Sequence, residues 1–179
     1  GNLWIGTEGG GLNYYNRRTR EFKWYRPQEG RNSISHNNVK ALYYDADKEI
    51  IWIGTHLGGL NKLDIRSGHF THYRMEEGNP NTLPSDIIRD IIPYKSLLII
   101  ATQNGVCLFD PANGQCQQLF KDSKEGKSIK MVADVTFDSE GTLWIAATGE
   151  GVFSYRFDTC RLTNYRHDAT NPNSLSNNN

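Results

Sequence analysis

Trp4-Ile5-Gly6-Thr7, Trp52-Ile53-Gly54-Thr55, Ile99-Ile100-Ala101-Thr102 and Trp144-Ile145-Ala146-Ala147 are four copies of one tetrad. The first residue of each copy stands at 4, 52, 99 and 144, a step of about 47 residues. A repeat of that length marks stacked units that cannot bury their apolar faces alone, and a four-stranded blade fits it.

The repeat extends well beyond the tetrad. A Gly-rich turn follows each copy: Gly9-Gly10-Gly11, Gly58-Gly59, Gly105 and Gly149-Glu150-Gly151. Glycine there supplies positive φ without steric cost. A second strand then opens on Leu12, Leu60, Val106 or Val152 and ends near Asn16, Asp64 or Asp110, with Arg156 breaking the pattern. Asn and Asp favour turn entry because their side chains bond nearby backbone. The next strand carries large residues three apart, as in Phe22 and Tyr25, Phe70 and Tyr73, Cys116 and Leu119, Leu162 and Tyr165. Polar connections lead to the last strand, Val39–Leu42, Ile88–Ile91 and Val132–Val135. These runs are short, β-branched or aromatic, and bounded by turn residues, and none keeps helical periodicity.

Four strands repeated radially describe a propeller blade. The chain therefore reads as all-β, a β-propeller fragment of about four four-stranded blades. The units run approximately 1–38, 39–86, 87–131 and 132–179, the first lacking its inner strand. Recurrence of Trp4, Gly6, Trp52, Gly54 and Trp144 means blade packing, since an active site is not needed four times.

The consensus is S-L-S-x-N-x-V-x-x-I, then D-x-x-G-x-L-W-I-G-T, then G-G-L-N-x-x-D, then F-x-x-Y. It resembles the two-component regulator propeller repeat over the whole chain. The strongest wording is in Leu3-Trp4-Ile5-Gly6-Thr7 and Gly58-Gly59-Leu60-Asn61, and the weakest in the third copy, where Ile99 replaces Trp and Ala101 replaces Gly. The resemblance implies the periplasmic sensor region of a Bacteroides-type hybrid two-component system. It implies a parent with two seven-bladed propellers, a small β-sandwich, one membrane span and a cytoplasmic histidine kinase with receiver and DNA-binding parts. Such proteins detect breakdown products of polysaccharides. The implied role is a non-enzymatic sensor fragment, with a ligand-free scaffold setting protein–protein or dimer contacts as the alternative.

The chain reads as a piece cut out of phase from a larger ring. Four blades of seven leave two faces and a sheet edge open, and such surfaces invite partners, so self-association is expected.

Lys plus Arg and Asp plus Glu number 20 each, which argues against an electrostatic nucleic-acid footprint. No run reaches the roughly 18 apolar residues of a membrane span, so contact with a membrane is expected only through the rest of the parent. The three cysteines have no metal spacing. Cys116 takes a Phe position and reads as a buried small hydrophobe, Cys107 lies diagonal to it, and Cys160 takes the place of a turn Gly. His36, His56, His69, His72 and His167 do not cluster, no cofactor or metal is indicated, and no nucleophile context is recognisable. Asp138-Ser139-Glu140-Gly141-Thr142-Leu143-Trp144 loosely resembles the Asp-box of sialidase-type propellers, with a spacing one residue too long, and reads as a turn. Trp24 occurs once, between Phe22 and Tyr25, with strand parity opposite to that of Tyr25.

Function in propellers lies in the loops of one face. The connections into the last strand and the turns after the tetrad should share it. That face would present His36, Asn37, Asn38, His56, Asp86, Arg89, Gln103, Asn104, Lys130 and Glu150. A polar mix of this kind suits an oligosaccharide, whose hydroxyls are oriented by hydrogen bonds.

Overall fold

As a computed structural model, the chain is described over residues 1–121, 123 and 126–179, the side chain of Lys127 excepted. The first sheet is β1 (Leu3–Thr7), β2 (Gly11–Asn16) and β3 (Glu21–Tyr25). The second is β4 (Val39–Asp45), β5 (Ile50–Thr55), β6 (Leu60–Asp64) and β7 (His69–Tyr73). The third is β8 (Ile88–Tyr94), β9 (Leu97–Thr102), β10 (Gly105–Phe109) and β11 (Cys116–Gln118). The fourth is β12 (Val132–Phe137), β13 (Leu143–Ala147), β14 (Gly151–Arg156) and β15 (Arg161–Tyr165). Each is an antiparallel meander whose neighbours in sequence are neighbours in space. One turn of 3-10 helix, Gly126–Ser128, lies between the third and fourth sheets.

The inner strands β4, β8 and β12 lie side by side, and β1 adjoins β4 because the first sheet has no strand inside it. The sheets are thus successive blades of an unclosed propeller. There is no single core. Apolar side chains form three wedges, one between each pair of sheets. The wedge between the second and third sheets is aromatic. Trp52 meets Phe109 edge-on at 5.3 Å, and Tyr73 meets the same ring at 4.8 Å. Each edge-to-face pair adds about 0.5–1.5 kcal/mol beyond area burial.

The tetrad's residues each have a task. Trp52 fills the wedge and is 2% exposed. The third residue is small because the next inner strand lands on it. A Cβ on Gly6 would sit 2.6 Å from Val39 Cγ1, and one on Gly54 would sit 2.5 Å from Ile88 Cγ2. The threonine closes the turn that follows. Thr7, Thr55 and Thr102 hydroxyls donate to the carbonyls of Gly11, Gly59 and Gly105, each at 2.9 Å. Ala147 has no hydroxyl to offer.

Several expectations are refined. Gly59 has φ +68, as a turn glycine should, but Gly58 does not use its conformational freedom; Leu57, at φ 70, takes the left-handed position instead. Gly58 is required by close approach, since a Cβ would meet Thr55 Oγ1 at 2.4 Å and Ser35 Oγ at 2.5 Å. Leu119 lies past the end of β11, although its N–H still donates to Val106 O at 2.9 Å. Trp4 and Trp144 are only partly buried, unlike Trp52. Trp144 faces a side that no further sheet covers.

The cysteines follow the sequence reading. Cys116 lies opposite Phe109, and Cys107 Sγ is 3.1 Å from Cys116 Sγ, both thiols free and buried. Cys160 is exposed at φ 52, in a turn position that Gly68 and Gly114 fill elsewhere. Trp24 is 61% exposed and lies under the Arg26 guanidinium, 5.1 Å from ring centroid to Cζ. Asp138 makes the turn expected of it: Oδ1 accepts from the Glu140 and Thr142 N–H groups and Oδ2 from Trp144 Nε1–H.

Trp52→Ala should therefore cost about 3–5 kcal/mol of stability, and Trp24→Ala less than about 0.5 kcal/mol. Urea denaturation of the two variants decides this. Equal losses would show that the wedges are not where stability resides.

Candidate functional site

Strand register gathers the expected face. Each inner strand begins opposite the end of its tetrad strand: Val39 pairs with Thr55, Ile88 with Thr102 and Val132 with Ala147. Segments entering β4, β8 and β12 and turns leaving β5, β9 and β13 therefore lie at one end of the sheets. His36, Asn37, Asn38, Asp86 and Lys130 stand on the entries. His56, Gln103, Asn104 and Glu150 stand on the turns, and Arg89 is the second residue of β8.

Most of these groups are engaged within the protein. Asn37, Asp86 and Asn178 occupy one repeat position, and their carbonyls accept the N–H of Gly11, Gly59 and Gly151 at 2.8, 2.9 and 3.1 Å. The side chains of Asp86 and Asn178 also accept the N–H of Met75 (2.8 Å) and His167 (2.7 Å). The matching donor for Asn37 would be residue 27, which is Pro27 and has no N–H. Asp86 further pairs with Arg74 at 3.2 Å, and Glu150 pairs with Arg166. Asn38 Oδ1 accepts from Gly9 N–H at 2.7 Å, and its carbonyl accepts from His56 N–H at 2.9 Å. His36 Nδ1 accepts from Asn38 N–H at 3.1 Å. Gln103 O accepts from Met131 N–H at 2.7 Å, across two sheets. Asn104 N–H donates to Thr102 Oγ1, and Lys130 N–H to Ser128 O.

The contacts of Asn37, Gln103, Asn104 and Lys130 are made by backbone groups, and two further side chains stand out. His56 Nδ1 is buried without a hydrogen-bond partner, its ring 6.5 Å from that of His36. Among the described residues, the Arg89 guanidinium makes no hydrogen bond or ion pair.

Arg89 owes its position to an irregularity that sequence reasoning did not use. The β4 ladder skips a residue between Val39 and Ala41, the β8 ladder between Ile88 and Asp90, and the β12 ladder between Val132 and Asp134. Lys40, Arg89 and Ala133 are the bulged residues. A bulge re-aims its side chain and sharpens the local twist. The signal was present: Val39 and Leu42, Ile88 and Ile91, Val132 and Val135 are three apart, a spacing no regular strand keeps on one face. Lys40 Nζ bonds Glu8 Oε1 at 3.1 Å, joining the first two sheets. One residue on, Asp90 and Asp134 accept the N–H groups of Ile91 (2.8 Å) and Val135 (3.0 Å). Burial, and then the neighbouring Asp134 carboxyl, hold Asp90 above the usual carboxylate range.

A cavity of about 240 Å³ lies at this end on the fourth sheet, beside Ala133, Thr148, Gly151 and Asn178, and none of the ten expected residues lines it. Others lie away from it. One of about 410 Å³ opens between the third and fourth sheets at the opposite end, beside Tyr94, Lys95, Glu140 and Arg156. Another of about 480 Å³ lies between the second and third, beside Asp45, Lys48, Trp52 and Lys62. None of the ten expected residues lines either. Among the described residues no three His, Cys, Asp or Glu side chains converge as a metal set would.

Residues 33–56 match the family model described as two component regulator propeller, so the resemblance read from the repeats is shown there. No curated protein matches the sequence. The fold is similar to part of the extracellular domain assigned to a hybrid two component system, BT3049, of B. thetaiotaomicron. That likeness has TM-score 0.74 and 24% identity over 93% of this chain. The extracellular domain of a hybrid two component system, BT4673, from the same organism is similar at TM-score 0.77 and 21% identity over 99% of this chain. The chain spans 22% of the length of each. At these identities the likeness carries the propeller fold. The matched family is one of regulator propellers, not of enzymes.

Because Asp90 binds its proton more tightly when folded than unfolded, the folded state holds more protons just above the ordinary carboxylate range. Stability therefore falls as pH rises through that window. Asp90→Asn should melt higher than the parent at pH 7, and the gap should close as pH drops below the ordinary carboxylate range. Melting curves over a pH series check this; a gap that persists at low pH would assign the effect to another cause.

Proposed function

We propose that these blades are part of the extracytoplasmic, periplasmic sensor region of a hybrid two-component regulator, and that they take part without catalysis in the response to polysaccharide-derived oligosaccharides. The regulator propeller repeat at residues 33–56 carries this reading. The extracellular domains that share the fold support it. The histidine kinase and the membrane span belong to the rest of the parent protein in this reading.

The end of the propeller that bears His36, His56, Lys40 and Arg89 suits a hydroxyl-rich ligand. Arg89 offers planar donors with no internal partner, and His56 Nδ1 is a buried group still owed a hydrogen bond. Signalling follows if the ligand binds one arrangement of paired sensor regions better than another, since only differential affinity shifts such an equilibrium. The alternative is a scaffold that sets protein–protein or dimer geometry and binds no sugar. It is favoured by the internal use of Asp86, Asn38 and Glu150.

Thermal shift against a panel of polysaccharide-derived oligosaccharides separates the two. A ligand of the native state raises the melting temperature by mass action. The sensor reading expects a shift for this chain, with affinity weakened about tenfold or more by Arg89→Ala, the scale of a lost hydrogen bond to a charged group. A shift confined to a longer extracytoplasmic region, with none for this chain, would overturn the recognition role and leave the scaffold.

A further inference from the structure

The third sheet departs from the other three at two neighbouring positions. Position 107 is Cys, where the repeat places Asn13, Asn61 and Phe153. Position 116 is Cys, where it places Phe22, Phe70 and Leu162. Side chains alternate along a strand, so Cys107 and Phe109 share one face of β10. Cys116 pairs with Phe109 across the ladder, which makes the two cysteines diagonal neighbours on that face. Both lie in the wedge between the second and third sheets. Their Sγ atoms are 3.1 Å apart, about 1 Å more than the length of a disulfide bond.

The strand that carries Cys116 has the weakest ladder of its kind. β11 is the outer edge of its sheet and has three residues, whereas the outer strands β3, β7 and β15 have five each. In the second sheet, Asn32 holds the start of β7 through its side chain: Nδ2 donates to Gly68 O at 2.9 Å and Oδ1 accepts from Phe70 N–H at 2.7 Å. The equivalent Cys116 N–H bonds a backbone group, Asn81 O, at 2.8 Å. Access to the two sulfurs is one-sided. Cys116 is 3% exposed and stands in the wall of a cavity of about 480 Å³, beside Asn81, Leu108 and Gln117. Cys107 is 0% exposed. Burial, and then the hydrogen bond with the Cys116 thiol, hold the Cys107 thiol well above its ordinary range. One sulfur is thus placed to meet a reagent from outside, and the other is placed to meet only the first.

We propose that Cys107 and Cys116 are a thiol pair that closes to an intrachain disulfide in the folded chain and ties the edge strand β11 to β10. The oxidant is an external disulfide, carried by a small molecule or by a thiol–disulfide exchange protein. The Cys116 thiolate attacks one sulfur of that disulfide, forming a mixed disulfide and releasing the first external thiol. Cys107, once deprotonated, attacks Cys116 Sγ, forming the Cys107–Cys116 bond and releasing the second external thiol. Two protein thiols are oxidised, one external disulfide is reduced to two thiols, and the two protons leave with them. The presence of an oxidant in the cell rests on the periplasmic reading proposed above, since disulfides form and persist in that compartment. The chemistry of the pair does not rest on it.

The test equilibrates the 179-residue chain, folded and with the exposed Cys160 replaced (Cys160→Ser), in buffers of defined reduced-to-oxidised glutathione ratio. Acid quenching, denaturation and alkylation then let intact mass count the thiols, and peptide mapping locates any link. The expected result is a chain with both thiols alkylated in reduced glutathione and neither alkylated in oxidised glutathione, the peptides holding Cys107 and Cys116 being joined. Closure should quicken as pH rises, because each step needs a thiolate. Cys107→Ser should stop at a glutathione adduct on Cys116, and Cys116→Ser should leave Cys107 unmodified. The linked chain should melt a few degrees above the reduced one, because a closed loop restricts the unfolded chain. Both thiols alkylated at every ratio would overturn the proposal. So would a link that forms only after unfolding in urea, or a linked chain that melts no higher than the reduced one. These outcomes are read in buffer and leave the location of the protein untouched, and a location outside the periplasm would leave them unchanged.

Discussion

The close approach of each inner strand to the preceding tetrad is the constraint from which the rest of the molecule follows. The side chain that opens the strand, Val39 or Ile88, occupies the space where a Cβ on Gly6 or Gly54 would be. This brings neighbouring sheets together at their inner ends, while the larger side chains fill the outer part of each wedge. Where the small residue is Ala101, it is buried in the same wedge as Val132. The wedge there is rebuilt. Ile99 replaces the tryptophan, Phe153 is fully buried from the fourth sheet, and Tyr94 stacks on Phe157 at 4.3 Å. Different side chains thus fill the equivalent wedge, as close-packed interiors require.

The same approach explains why the connections between sheets are so heavily hydrogen-bonded. Residues 26–38 leave the outermost strand of one sheet and enter the innermost strand of the next, crossing the neighbouring sheet on the way. Ser35 N–H donates to Asn61 Oδ1 at 2.8 Å, Ser35 Oγ–H donates to Gly58 O at 2.7 Å, and the carbonyl of Ser33 meets His72 Nε2 at 2.8 Å. A segment that runs over a packed surface must find partners for its backbone there. The serines and asparagines recurring in these connections supply them.

How much of this was legible follows from the range of each interaction. Strand identity, blade order and the shared loop end depend on local pattern and on the repeat itself, and both are written in the chain. The role of Thr7, Thr55 and Thr102 is also local, four residues or fewer from its acceptor, and recurrence alone could have exposed it. The bulges at Lys40, Arg89 and Ala133 were announced by aliphatic residues three apart. The reason for Gly58 was only partly legible: Thr55 Oγ1 is local, but Ser35 and His36, which also exclude a side chain there, stand on another loop. Nor was the fate of the ten candidate side chains. Whether Asp86 is free depends on Arg74 and Met75, and Asn37 lacks the matching contact only because a proline stands at position 27. Asp90 is set by its burial between sheets and then by Asp134, one full repeat away.

Repetition also sorts the polar residues at the loop end into two kinds. Positions that recur with similar chemistry, such as Asp86 and Asn178, spend it on the backbone beside them, and a ligand reaching them would have to break those bonds; Asn37 shares only the carbonyl bond. The residue after each tetrad is Glu8, His56, Gln103 or Thr148, and the bulged residue of each inner strand is Lys40, Arg89 or Ala133. Nothing in the ladder or the wedges dictates these identities, since a bulged residue has no partner across the strand pair. They can vary from blade to blade without loss of packing, and they do. A propeller built from one sentence repeated needs such positions to become asymmetric. On these four blades the asymmetry is concentrated where Lys40 meets Glu8 and where Arg89 and His56 remain unpaired.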